Sequence, residues 1–130
     1  MRAKRIVIIQ LVVFLYVTSV PSVTAKDWSL IGSAFVTRKI ATRTVFVNSK
    51  HRRVTRLKLK ALNATIKVWS MTIYFRNGKA QVVSLDQMIP HNNESREIDL
   101  EESGGIRRIV LSLNAVTFRK KNAVLWIYGT

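Results

Sequence analysis

The nearest approach to a paired-carboxylate constellation in this chain is the run IDLEESGG, where Asp99 and Glu101 stand two residues apart and would share one face of a strand. Two carboxylates placed in this way can divide acid and base roles at a glycosidic bond, or hold calcium through oxygen ligands. The run lacks the ordered oxygen spacing of a calcium loop, and Arg107 and Arg108 follow it closely. A solvated edge whose charge is offset nearby is the plainer reading. The two histidines, His51 in NSKHRR and His91 in PHNNES, lie in polar turns and in no metal-ligand spacing. Serines occur without a GxSxG elbow, and the absence of cysteine removes thiolate nucleophiles and thiolate zinc sites. The expectation is a protein that is not an enzyme and uses no cofactor or metal.

Two other patterns can bind without reacting. In RVTRLKLKAL, Arg56, Lys58 and Lys60 alternate with Leu57, Leu59 and Ala61, so that burial of the leucines turns all three cations outward. In AVLWIYG, Ala123, Leu125 and Ile127 share one face, which leaves Val124, Trp126 and Tyr128 on the other, shortly after Arg119, Lys120 and Lys121. Exposed rings beside cations can stack on sugars or bases or anchor a protein contact. The alternative is that this strand is central in its sheet, with the outer face partly covered.

Charge and export decide which ligand suits these cations. The chain has 22 Lys and Arg against seven Asp and Glu, a formal net charge of +15. The N-terminus reads as a signal peptide: MRAKR, then the apolar run IVIIQLVVFLYV, Pro21, and a small-residue stretch that places cleavage after Ala25. An uncleaved anchor is the alternative, but the run is shorter than the roughly 20 residues that cross a bilayer. The expected organisation is a signal peptide over 1–25 and one domain over 26–130, without a transmembrane helix after cleavage. All seven acids and all but three of the basic residues lie after the leader, so the exported domain itself is strongly basic. Export argues against nucleic acid, the usual partner of such a charge. The expected partners are an anionic envelope component or an acidic protein, met in a periplasm or outside the cell.

The elements that would carry these residues are strands. Short alternating runs rich in Val, Ile, Leu and aromatics fall near 28–36, 40–47, 54–62, 66–75, 79–85, 97–100, 106–113 and 123–128. About eight strands separated by turn signals predict an all-β fold, an antiparallel β-sandwich of immunoglobulin-like or jelly-roll-like type. Asn77-Gly78, between IYF and KAQVV, predicts a hairpin with a two-residue type I′ turn. Gly104-Gly105 marks a second break, and Asn114 is expected to end the strand that follows, its apolar parity passing to Val116 and Phe118. Ile66 and Val68 face one way while Trp69, Met71, Ile73 and Phe75 fit the other parity, which predicts a bulge or bend near Trp69 and Ser70. Every acid except Asp27 lies between residues 85 and 105. The sequons Asn63-Ala64-Thr65 and Asn93-Glu94-Ser95 would accept glycans only in a eukaryotic secretory pathway, with Asn93 the more exposed.

The anchors Trp28, Leu30-Ile31-Gly32, Arg56-Leu57-Lys58-Leu59, Ile66-Lys67-Val68, Met71 to Phe75, Asn77-Gly78, Ile98-Asp99-Leu100, Ile106 to Ile109 and Ala123-Val124-Leu125 with Gly129 form a familiar series. It resembles a family of small, exported, uncharacterised bacterial all-β proteins. The resemblance implies the sandwich and export but no catalytic residue, and Trp69 departs from a strand that is often more polar in that family. Two functions from different classes follow. One is an exported binding or structural module with a basic face, its candidate contacts being Arg56, Lys58, Lys60, Arg119, Lys120, Lys121, Trp126 and Tyr128. The other is an enzyme or accessory protein acting on envelope polysaccharide through Asp99 and Glu101.

Overall fold

The computed structural model describes residues 27–51, 53–117 and 122–130. The expected signal peptide and Arg119, Lys120 and Lys121 lie outside these residues. Period-two patterning produces strands whose burial alternates in step, and the described residues contain nine: β1 (Ser29–Val36), β2 (Ala41–Phe46), β3 (Arg56–Leu62), β4 (Ile66–Phe75), β5 (Ala80–Val83), β6 (Gln87–Ile89), β7 (Ile98–Asp99), β8 (Ile106–Ala115) and β9 (Ala123–Gly129). They form two antiparallel sheets. One has the order β1-β9-β3-β7, and the other has β2-β8-β4-β5 with β6 also paired to β4. The chain is an all-β sandwich.

The core fills the space between the sheets. Leu57, Leu59, Leu125 and Ile127 from one sheet meet Ile66, Met71, Ile73, Ile109 and Leu111 from the other, and all are fully buried. With no disulfide present, this apolar burial is the main stabilising term. The predicted bulge is present: the β4–β8 register shifts between Val68 and Ser70, so Val68 and Met71 both point inward while Trp69 stands outside. The same bulge divides the neighbouring edge. β6 pairs Ile66–Val68 and β5 pairs Met71–Tyr74, and at the junction the Asp86 N–H donates to the Trp69 carbonyl at 3.0 Å. Three expectations need correction. Nine strands stand where about eight are expected, because the three-residue strand β6 carries too little alternation to be read from sequence. β8 does not end at Asn114 but continues through buried Ala115, because its partner β4 extends to Ile66 opposite it, leaving Val116 exposed.

The third correction concerns the hairpin at Asn77-Gly78, which forms with another turn. Phe75 N–H donates to Lys79 carbonyl and Gly78 N–H to Phe75 carbonyl, at 2.8 and 3.1 Å, and of the two central residues only Gly78 has positive φ, 92°. This is a three-residue loop with glycine at the left-handed position, in place of a type I′ turn. Asn77 Oδ1 accepts the Lys79 N–H at 2.9 Å, a local bond that favours this form.

Where β1 passes β2 the sheets approach closely, and a Cβ at Gly32 would overlap Val45 Cγ1. Val45 is β-branched and buried, so it has little freedom to yield. Gly32→Ala is therefore expected to lower stability by about 1 to 3 kcal/mol. Adding Val45→Ala should restore part of the loss, both being read as shifts in the denaturant midpoint. A second test concerns Ser95, only 8% exposed, whose hydroxyl accepts the buried Leu59 N–H at 2.9 Å. Ser95→Ala leaves that donor unpaired and should cost about 1 to 3 kcal/mol, whereas Ser95→Thr should cost clearly less. Equal effects from the two variants would show that the hydroxyl is not what matters.

Candidate functional site

The two patterns singled out in the sequence lie on neighbouring strands of one sheet. β3 and β9 pair in a register that sets Lys58 opposite Tyr128, Lys60 opposite Trp126, and Leu62 opposite Val124. On the far side of β9, β1 contributes Leu30 opposite Tyr128, Ser33 opposite Trp126, and Phe35 opposite Val124. Because parity sends Leu57, Leu59, Leu125 and Ile127 inward, all of these residues share the outer face. Trp126 and Tyr128 form an edge-to-face pair with centroids 6.2 Å apart and planes at 78°. β9 is thus a central strand whose rings are half-buried between neighbours, in place of a fully exposed stripe.

The basic stripe is largely engaged within the chain. The Arg56 guanidinium donates to Glu97 at 3.2 Å and to Asp99 at 3.1 Å. Lys58 Nζ lies 3.1 Å from Glu94 and 4.3 Å from the centroid of the Trp28 ring, with its side chain only 16% exposed. The acids are brought there by the segment that follows β6. Asn92 N–H donates to Ala61 carbonyl, Ala61 N–H to Asn93 carbonyl and Ser95 N–H to Leu59 carbonyl, at 2.8, 3.2 and 2.7 Å, so the segment runs along β3 as an irregular extra strand. Exposed ion pairs contribute only about 0 to 1 kcal/mol each. The backbone bonds therefore hold the segment, and the ion pairs set the charge that remains on the face.

Lys60 differs from its two neighbours, since no acidic side chain pairs with it among the described residues. Its cross-strand neighbours are Trp126 on β9 and, on the other side, Glu94, whose carboxylate goes to Lys58. A shallow cleft of about 250 Å³ opens beside Val124, lined also by Ser33, Phe35, Thr44 and Arg43. Arg43 is a residue that reading for exposed stripes does not find. It shares the inward parity of Val45 and Val47, yet its Nε donates to Phe35 carbonyl at 3.1 Å and its Nη1 to Thr42 carbonyl at 3.3 Å. A charged residue at an inward position of an edge strand is the signal that marks it.

The remaining candidates do not converge into a catalytic arrangement. Asp99 is 84% exposed at its side chain and bound to Arg56, and the buried Gln81 amide clamps the backbone on either side of Leu100, donating to Asp99 carbonyl and accepting from Glu101 N–H at 3.0 and 2.9 Å. Glu101 is exposed and lines neither the cleft beside Val124 nor those near Val54. His51 lines a cleft of about 230 Å³ with Asp27, Lys50 and Arg53, while the His91 N–H donates to Thr65 Oγ1 at 3.4 Å in another loop. No group of three or more His, Cys, Asp or Glu side chains able to hold a metal occurs among the described residues. Of the sequons, Asn93 is exposed, while Asn63 has its amide bound to Asn122 carbonyl at 2.8 Å.

Among solved structures, the SPBc2 prophage-derived protein YomS is similar at 16% identity and a TM-score of 0.33, with 80% of this chain and 94% of that chain covered. Nothing is carried over from a likeness of that degree. No curated protein matches the chain. A family model described as a domain of unknown function, DUF2541, matches residues 7–129 and so takes in both sheets of the sandwich. On that match the chain belongs to the DUF2541 family.

Proposed function

We propose that the protein is an exported, non-catalytic binding module that holds an anionic envelope polymer against the outer face of the β1-β9-β3-β7 sheet. The observation that carries this reading is the placement of Lys60, without an acidic partner among the described residues, directly opposite Trp126 on the neighbouring strand. An indole offers an apolar face to the C–H surface of a sugar, and an ammonium one strand away can meet a carboxylate or phosphate on the same unit. Arg43, in the cleft beside Val124, is a further cation bordering this face. Arg56 and Lys58 offer less to a ligand, because their charge is matched by Glu94, Glu97 and Asp99.

The leader pattern supports work in a bacterial periplasm or outside the cell, where such polymers are met. Among the described residues no helix is long and apolar enough to cross a membrane. Hydrolysis by Asp99 and Glu101 gains no support from their placement on an open rim, with Asp99 held by Arg56.

Binding of the purified protein to polygalacturonate and to phosphatidylglycerol vesicles, each at low and high salt, tests the reading. Affinity should fall as salt rises, because the contact includes solvent-exposed charge. Lys60→Glu and Trp126→Ala should each weaken binding by about tenfold or more, the size expected from loss of a central contact worth about 1.4 kcal/mol or more. Arg56→Gln should change it much less. Binding that is absent at low salt, or indifferent to both Lys60→Glu and Trp126→Ala, would sink the proposal.

A further inference from the structure

The opposite face of the molecule has a different chemistry. Of the exposed large apolar side chains among the described residues, all but Leu30 and Phe35 lie on or beside the outer face of the β2-β8-β4-β5 sheet: Ile40, Phe46, Trp69, Val82, Met88 and Val116. Phe46 and Val82 are 74% and 70% exposed. Between them run rows of small hydroxyl and apolar groups, Thr44 opposite Val110 and Val110 opposite Thr72, with Thr42, Ser112 and Ser70 in the next row. The charges on this face are few. Lys67 is bound to Asp86 at 2.9 Å and lies 4.8 Å from the centroid of Trp69.

At one end of the two central strands, Arg108 stands between Phe46 and Tyr74 in register. Its guanidinium lies 4.1 Å from the centroid of the Tyr74 ring. Stacking fixes the plane of the guanidinium, and no acid pairs with it among the described residues. Arg and Tyr side by side, with exposed Phe46 in the same row and exposed Val82 in the next, have the make-up of an interface centre.

We infer that this face docks an acidic protein, whose apolar surface covers Phe46 and Val82 while one of its carboxylates pairs with Arg108. Charge selects this occupant over a second copy of the chain. A molecule of net charge +15 repels its own kind, and two copies of this face would bring Arg108 and Lys67 against like charges, Asp86 being already bound to Lys67. An acidic partner removes both obstacles and gains in association rate. Trp69, turned outward by its bulge, has its indole N–H bound to Asn114 Oδ1 at 2.9 Å. Its ring is thereby set in place before any partner arrives, which lowers the ordering cost of contact.

The test uses the full chain as an immobilised target for a random peptide display library, with self-association measured by sedimentation. Enriched peptides should combine apolar residues with Asp or Glu and compete with one another for one site. Their binding should fall at least tenfold with Arg108→Glu and with Phe46→Ser, and be unchanged with Lys60→Glu, which lies on the other sheet. Both outward substitutions should leave the unfolding midpoint close to that of the parent. Peptides without acidic enrichment, or binding indifferent to both substitutions, would overturn the inference. So would a stable dimer that Phe46→Ser dissociates, since a second copy would then be the occupant.

Discussion

Everything in this molecule depends on the burial of alternate side chains along four strands, β3 and β9 in one sheet and β4 and β8 in the other. No disulfide links them, so the two inner faces must exclude water through apolar contact alone. Once that parity is imposed, the outward residues have no freedom to choose their neighbours. Lys60 lies beside Trp126, and Arg108 beside Tyr74, because Leu59, Ile127, Ile109 and Ile73 are inside. Both proposed binding faces are thus the other side of the core pattern.

Where strict alternation would leave an apolar residue outside, the backbone changes register. Along the β4–β8 ladder shifts occur between Val68 and Ser70 and between Tyr74 and Phe75. The first turns Trp69 outward; at the second, Ile106 meets Phe75 and the exposed Arg107 is left without an opposite residue. These irregularities keep the core continuous and also give the outer face side chains that an ideal ladder would have directed elsewhere.

Much of this was legible in the sequence, in proportion to how local the signal was. The long strands, the hairpin and the bulge near Trp69 each follow from a run of ten residues or fewer, so patterning reached them. β6 was not legible because three residues cannot establish a period. Asn114 looked like a strand end because the apolar parity of Ile109, Leu111 and Leu113 passes to Val116 and Phe118, yet here its amide oxygen is taken by Trp69 Nε1. The charge pattern was the least legible part. Arg56, Lys58 and Lys60 read as one stripe, but their partners are 36 or more residues away in the chain, and only the path of the acidic segment along β3 shows that two of the three are matched. The clustering of the acids in one segment was the visible half of that relation.

The guanidinium of Arg43 and the broken β5–β6 border bear on a hazard common to strand-only proteins. A sheet border with free N–H and C=O groups invites another chain to add to it, and continued addition gives fibres. In this molecule Arg43 occupies the Phe35 carbonyl on the border of one sheet. The far border of the other is split into pieces of four and three residues by the Trp69 bulge. The split border offers an incoming strand no long, regular template, and the occupied carbonyl removes one acceptor from the other, so both hinder chain addition beside the apolar side chains left on the surface.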